Sequence, residues 1–216
     1  VEVQGMLRKL LIALAALVVV LLVVIATRPS TYRVERTTRI AAPPDVVFAL
    51  VNDFHAWDRW SPWAHLDPSM KTTLGGPPSG VGATYAWTGN DKVGEGRMRI
   101  TESVPAQKVG IRLEFIKPMA SVAQTDFGFR PEGGGTQVSW VMNGKNDFMG
   151  KAFSLVADLD TMVGNDFEKG LASMRREAEA DAKKRLEAST ASAPPAAAPG
   201  TPAPAAQPSG APPPGK

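Results

Sequence analysis

Apolar and polar positions fall into three regimes along the chain. From Leu10 to Ala26 about seventeen apolar residues follow one another without a polar face. As a helix this run measures roughly 26 Å, and Met6, Leu7 and Thr27 extend it to about the thickness of a bilayer core. From Tyr32 to Met142 the pattern becomes a two-residue alternation. Tyr32, Val34, Arg36, Thr38 and Ile40 share one side of a first strand, opposite Arg33, Glu35, Thr37 and Arg39. Strands are also predicted at Ala83–Thr88, Glu95–Ser103, Lys108–Ile116, Val122–Arg130 and Thr136–Met142. Their inward sets are Met98 and Ile100; Val109, Ile111, Leu113 and Phe115; Thr125, Phe127 and Phe129; and Val138, Trp140 and Met142. Gly- and Pro-containing turns separate them, which predicts an antiparallel meander with one apolar face.

Two helical stretches interrupt the strands. Pro43-Pro44 opens a short helix over Asp45–Asn52. Phe54, Trp57 and Trp60 then recur once per turn until Pro62 stops them, with Asp58 and Arg59 off that face and solvated. Leu66–Gly82 carries several Gly and Pro residues and reads as a loop.

The third regime has a helical period. Phe148–Val163 reads as a short helical segment, and Gly164 as a break after it. Asn165–Glu187 then predicts a helix with Phe167, Leu171, Met174 and Ala178 on one stripe. Asn165 serves as N-cap, with Glu168 reaching back as in a capping box. Its last turns carry possible i,i+4 pairs, Arg175–Glu179, Glu179–Lys183 and Asp181–Arg185, and are expected to project beyond the sheet. From Ala188 to Lys216 almost every residue is Ala, Pro, Gly, Ser or Thr, a composition that cannot offset its ordering entropy. The expected organisation is a membrane anchor at 1–29, a folded domain at 30–187 and a disordered tail at 188–216.

Composition narrows the chemistry. The chain has 216 residues, a net charge of +3, no cysteine and two histidines. No disulfide, Cys-ligated metal or thiol nucleophile is available, and a histidine-rich metal site is not expected. No basic cluster interleaves with aromatics, so no nucleic-acid partner is expected. The Gly-rich loop lacks a Gly-Lys-Ser/Thr ending, so no nucleotide cofactor is expected either.

For the apolar run, an uncleaved single-pass anchor competes with a signal peptide cut after Ala26, with Val24 at −3. The run exceeds the usual apolar length of a signal, which favours the anchor. Met6 would give the usual short basic start, with Val1–Gly5 an extension. Arg8 and Lys9 place the N-terminus inside. Arg28, Arg33, Arg36 and Arg39 beyond the span argue the reverse, but long domains translocate largely regardless of charge. The domain is therefore expected outside the cytoplasm, on a bacterial inner membrane.

The segments TTRIAAPPDVVFALVNDFHAWDRWSPW, GNDKVGEGRMRITESVP, LEFIKP, GGTQVSWVMNGKN and MVGNDFEKGLASM occur in that order. Together they resemble the SRPBCC (START-like) superfamily, in particular bacterial polyketide cyclase/dehydrase-like members, over Tyr32 to Arg185. The resemblance implies an α+β helix-grip fold, in which a curved antiparallel sheet wraps a long C-terminal helix. It further implies a hollow between the two for an apolar or amphipathic small molecule, such as a lipid or polyketide-like compound. The inward aromatics and methionines suit such a site: Trp57, Trp60, Trp87, Met98, Phe115, Phe127, Trp140, Met142, Met162 and Phe167. The same residues would also fill a plain core.

No catalytic constellation stands out. His55 and His65 lie near Asp53, Asp58, Ser61 and Asp67, where short polar residues also serve as caps. Glu114 and Asp126 phase away from the apolar face. The leading expectation is a membrane-tethered binding domain. The alternatives are a cyclase or dehydratase and an envelope protein docking an unknown partner through its tail.

Overall fold

The computed structural model describes residues 2–191. Helix α1 (Glu2–Thr27) is exposed from Val3 onward except at Ile25. Strand β1 (Thr31–Ile40), helix α2 (Pro44–Asn52) and a 3-10 turn (Phe54–Arg59) follow. Strands β2 (Lys71–Gly75), β3 (Thr84–Thr88), β4 (Glu95–Val104), β5 (Lys108–Lys117), β6 (Ser121–Glu132) and β7 (Gly135–Lys145) come next. Helix α3 (Phe148–Phe153) and the long α4 (Leu159–Ala191) close the described chain. The seven strands form one antiparallel sheet in the order β1-β7-β6-β5-β4-β3-β2.

The alternation sets which face is buried. Val34 and Ile40, Ile100, Val109 and Ile111, Thr125, Phe127 and Phe129, and Val138, Trp140 and Met142 all point inward, as their phase predicts. They meet Val47, Leu50 and Val51 of α2, the Trp57–Trp60 turn, and the stripe Phe167, Leu171, Met174 and Ala178 of α4. The molecule is thus an α+β helix-grip fold, the sheet curving round α4.

Four expectations change. Gly164 does not break α4, which runs through it, and Asn165 sits inside the helix. The cap is Asp158, whose carboxylate accepts from Asp160 N at 3.1 Å and Thr161 Oγ1 at 2.5 Å. Gly164 is small because the Arg36 guanidinium crosses the helix there, where a Cβ would overlap it. Arg36 donates to Asp160 at 3.1 Å and to Glu168 at 3.0 Å, so Glu168 faces the sheet instead of completing a capping box. The preceding segment is helical only over Phe148–Phe153, capped by Asp147, which accepts from Gly150 N at 2.8 Å.

Lys71–Gly75, expected as loop, is an edge strand paired only with β3. All five of its residues are exposed, so it shows no apolar alternation.

The charged half of α4 does not project free. Arg59 pairs with Glu177 at 2.8 Å and Asp181 at 2.9 Å, Arg185 pairs with Asp45, and Glu179 accepts from Ala41 N at 3.0 Å. Three of its side chains that could have paired along the helix reach across to α2 and its flanks instead. The helix continues to Ala191. The tail expected from Ala188 otherwise falls on 192–216, outside the described residues.

Candidate ligand cavity

A cavity of about 310 Å³ lies between the inner face of β3–β7, the segment after the 3-10 turn, and α4. Trp57 enters it from the 3-10 turn, its Nε1 donating to Val51 O at 3.0 Å. Tyr85 and Trp87 come from β3. Trp87 lies flat over Gly96, where any side chain would overlap its ring, and donates to Val93 O at 2.9 Å. Met98, Leu113, Phe115, Thr125, Trp140 and Met142 follow across the sheet, and α4 contributes Val163 and Phe167. Trp140 and Phe167 stack with centroids 3.9 Å apart and planes 7° from parallel. Trp63 packs edge-on against Trp140 at 5.8 Å. Close approach at Gly170 allows this: a Cβ there would stand 2.8 Å from Trp140 Cζ3 and 3.0 Å from Pro62 Cδ.

Of the residues expected at the site, Trp57, Trp87, Met98, Phe115, Trp140, Met142 and Phe167 meet at this cavity. Trp60 and Phe127 do not line it. They sit deeper in the aromatic cluster, 6.0 Å apart, and Trp60 Nε1 donates to Leu50 O at 2.8 Å. Met162 is 53 % exposed and lines no part of it, because α4 starts at Leu159 and turns that position outward. Sequence reasoning passed over Trp63, Tyr85, Leu113, Thr125 and Val163. Leu113 and Thr125 had the inward phase, and Tyr85 shares the phase of Trp87, two positions on.

The lining is apolar apart from a few groups. Burial, with Asp58 adding to it, pushes the Tyr85 phenol up, so it stays neutral and able to donate. Asp91, Lys92, Lys117 and Asp166 carry the charge in the lining. Asp67, itself buried, accepts from Ser69 Oγ at 2.7 Å, Asn90 N at 2.7 Å and Ser69 N at 2.9 Å. These bonds hold its carboxyl below the usual carboxylate range and pin the β3–β4 turn that carries Asp91, Lys92 and Val93.

The other titratable candidates lie elsewhere. His55 Nδ1 is 2.7 Å from Asp53 Oδ1 and His65 Nε2 is 3.1 Å from Asp58 O, and neither ring lines the cavity. Glu114 is held low by Arg112 and Arg97. Among the described residues no group of three or more His, Cys, Asp and Glu could hold a metal.

A wider groove of about 1320 Å³ adjoins the cavity, sharing Phe115, Lys117, Pro118, Met142 and Val163 with it. Arg28 to Val34, Met119 to Ser121, Lys145 to Asp147, Gly150 and Phe153 to Asp160 complete the groove. It therefore links the cavity wall to the foot of α1. That foot is fastened: Asn146 N donates to Ser30 O at 2.9 Å, and Lys151 Nζ to Ala26 O at 3.2 Å.

The sequence model of a family described as polyketide cyclase/dehydrase and lipid transport matches residues 31–179. Among curated proteins none matches the chain. Solved structures share the fold. A Chromobacterium violaceum protein is 18 % identical with a TM-score of 0.50, over 69 % of this chain and 97 % of its own. A Rhizobium leguminosarum protein is 17 % identical with a TM-score of 0.51, over 69 % and 95 %. The Aha1 dimer of Colwellia psychrerythraea is 14 % identical with a TM-score of 0.50, over 68 % and 96 %.

Proposed function

The chain belongs to the polyketide cyclase/dehydrase and lipid transport family of the SRPBCC superfamily, and from that premise we propose that it is a membrane-tethered binding domain for an apolar or amphipathic small molecule. The observation that carries this reading is the apolar cavity between sheet and α4, adjoining a groove at the foot of the apolar helix. At about 310 Å³ its volume lies at the small end of ligand sites, roughly 300–1,000 Å³. The binding residues of this proposal are Trp57, Trp87, Met98, Phe115, Trp140, Met142 and Phe167, joined by Trp63, Tyr85 and Leu113.

The tether is α1. Its Val3–Thr27 stretch is long and apolar enough to cross a membrane, a property that a signal sequence shares. Only Arg28, Pro29 and Ser30 separate α1 from β1, so a spanning α1 would hold the groove next to the bilayer surface. Phe148, Met149 and Phe153 of α3, with Met119 and Val156, leave apolar side chains exposed near that foot. An apolar ligand could then pass from lipid to cavity without crossing bulk water.

The orientation with the domain outside the cytoplasm rests on Arg8 and Lys9 before the span and on long domains translocating largely regardless of charge. Arg33 donates to Glu35 and Asn143, Arg36 to Asp160 and Glu168, and Arg39 to Gly133 O. These three serve the fold, which accounts for their place beyond the span. Protease added to spheroplasts should digest the domain, and protection until lysis would reverse the orientation.

Binding is tested on the full chain purified in detergent, by native mass spectrometry and extraction of co-purifying compounds. The expected result is a released apolar species and a higher thermal midpoint on adding it back. Replacing Met98 and Leu113 by Trp should fill the cavity and abolish both. A chain that is always empty, with a midpoint that no added lipid or aromatic ketone moves, would reject the proposal.

A further inference from the structure

Two atoms of cavity-lining residues have no hydrogen-bond partner among the described residues: Thr125 Oγ1 and Trp140 Nε1, on side chains whose residues are 5 % and 2 % exposed. Buried polar groups almost always pair, and a buried Trp N–H usually finds an acceptor. This chain follows that rule elsewhere. Trp57, Trp60 and Trp87 each donate to a backbone carbonyl, at 3.0, 2.8 and 2.9 Å. Trp140 is the contrast.

The two residues are neighbours. In the β6–β7 register Phe127 faces Trp140 and Thr125 faces Met142, so Thr125 and Trp140 sit diagonally on the same inner face. Such diagonals place Cβ atoms about 7 Å apart, within reach of one ligand. An indole N–H only donates, whereas a hydroxyl donates or accepts. A partner shared by both is therefore a hydrogen-bond acceptor, of which an oxygen is the commonest. Lys92 and Lys117 are the only cations in the lining, and both flank the loops at its edge, on the β3–β4 turn and at the end of β5. A carboxylate seated between Thr125 and Trp140 would give up its hydration for two neutral donors, which is unfavourable.

Resting on the proposed binding function, we infer that the cavity selects a neutral, largely apolar molecule bearing a ketone, ester, ether or alcohol oxygen. Thr125 and Trp140 hydrogen-bond that oxygen, while the aromatic wall of Trp63, Trp87 and Phe167 holds the body. The site discriminates against a hydrocarbon of the same shape because a hydrocarbon leaves both groups unpaired.

The test uses the full chain in lipid nanodiscs, with empty nanodiscs as the partition control. The probes are 2-acetylnaphthalene and 2-isopropenylnaphthalene, which have the same number of heavy atoms and differ in C=O against C=CH2. Wild type should bind the ketone about tenfold tighter, with its infrared carbonyl stretch shifted to lower frequency. T125V and W140F should each bring the ratio of the two affinities toward one, a ratio that cancels any change in packing felt equally by both probes. T125V preserves the Trp140–Phe167 stack, so it decides the matter if W140F does not fold. Equal affinity of the two probes for wild type would overturn the inference, with a water pairing the two groups, and leave the binding function standing. A preference that survives T125V would overturn the assignment of Thr125. If neither probe binds, the inference falls together with the function beneath it.

Discussion

Two glycines of α4 look alike in sequence and differ in what they touch. At Gly170 a Cβ would press on the Trp140 ring and on Pro62, neither of which can move without disturbing the aromatic stack. At Gly164 the nearest atoms are those of the Arg36 guanidinium, the far end of a flexible side chain. Alanine gains up to about 1 kcal/mol over glycine in a helix, and overpacking costs about 1–3 kcal/mol. Gly170→Ala should therefore lower the unfolding free energy by about 1 kcal/mol. Gly164→Ala should leave the urea midpoint close to wild type, since helix propensity offsets displaced, partly solvated ion pairs. Equal effects of the two would show that the Trp140 contact is not the constraint. Asp67 gives a second prediction at this scale. Its folded-state pKa is depressed by its hydrogen bonds from Ser69 and Asn90, so its stabilisation is fully present above the unfolded carboxyl value of about 3.9 and is lost as pH falls through the folded value. Asp67→Asn should lower the melting temperature at pH 7 and flatten its decline below about pH 4. Parallel pH profiles for the two proteins would argue against this role.

At the scale of elements, the strands were legible because a two-residue period leaves few alternatives once one face is buried. Val109, Ile111, Phe127 and Val138 read directly as core. The Trp57–Trp60 turn and the apolar stripe of α4 were legible from three- and four-residue steps that mark one helical face. Three features were not, each because its cause lies far away in sequence. β2 has no apolar face, since its place at the sheet edge gives it one partner and no core. Gly164 looked like a helix break because glycine commonly is one, and the Arg36 side chain that requires it comes from β1. The polar members of the cavity wall, Thr125 above all, were invisible to a choice made on apolarity. α3 carries the next prediction. Phe148, Met149 and Phe153 are exposed beside the groove, so replacing all three with Ser should change folding stability by no more than about 0.5 kcal/mol per site. It should slow the uptake of 2-acetylnaphthalene from vesicles while the equilibrium affinity stays the same. An unchanged stopped-flow uptake rate would separate α3 from ligand entry.

For the whole molecule, the question is how far the folded domain depends on α1, the proposed tether. The core cluster draws only on residues from Val34 to Ala182. α1 contributes one buried side chain, Ile25, and receives the Lys151 hydrogen bond at its C-terminal end. That is a small share of the packing. As the proposed tether, α1 should therefore set where the domain sits and leave what it binds unchanged. A chain starting at Ser30 should unfold in one cooperative transition within a few degrees of the full-length protein. It should bind 2-acetylnaphthalene with the same affinity and no longer co-sediment with vesicles. Uptake from a vesicle-bound pool should fall, since the groove is no longer held against lipid. The comparison needs calorimetry, probe titration and sedimentation on the two chains. A truncated chain that melts early or loses affinity would mean that α1 completes the cavity wall through the groove at its foot, and that the anchor belongs to the binding site itself.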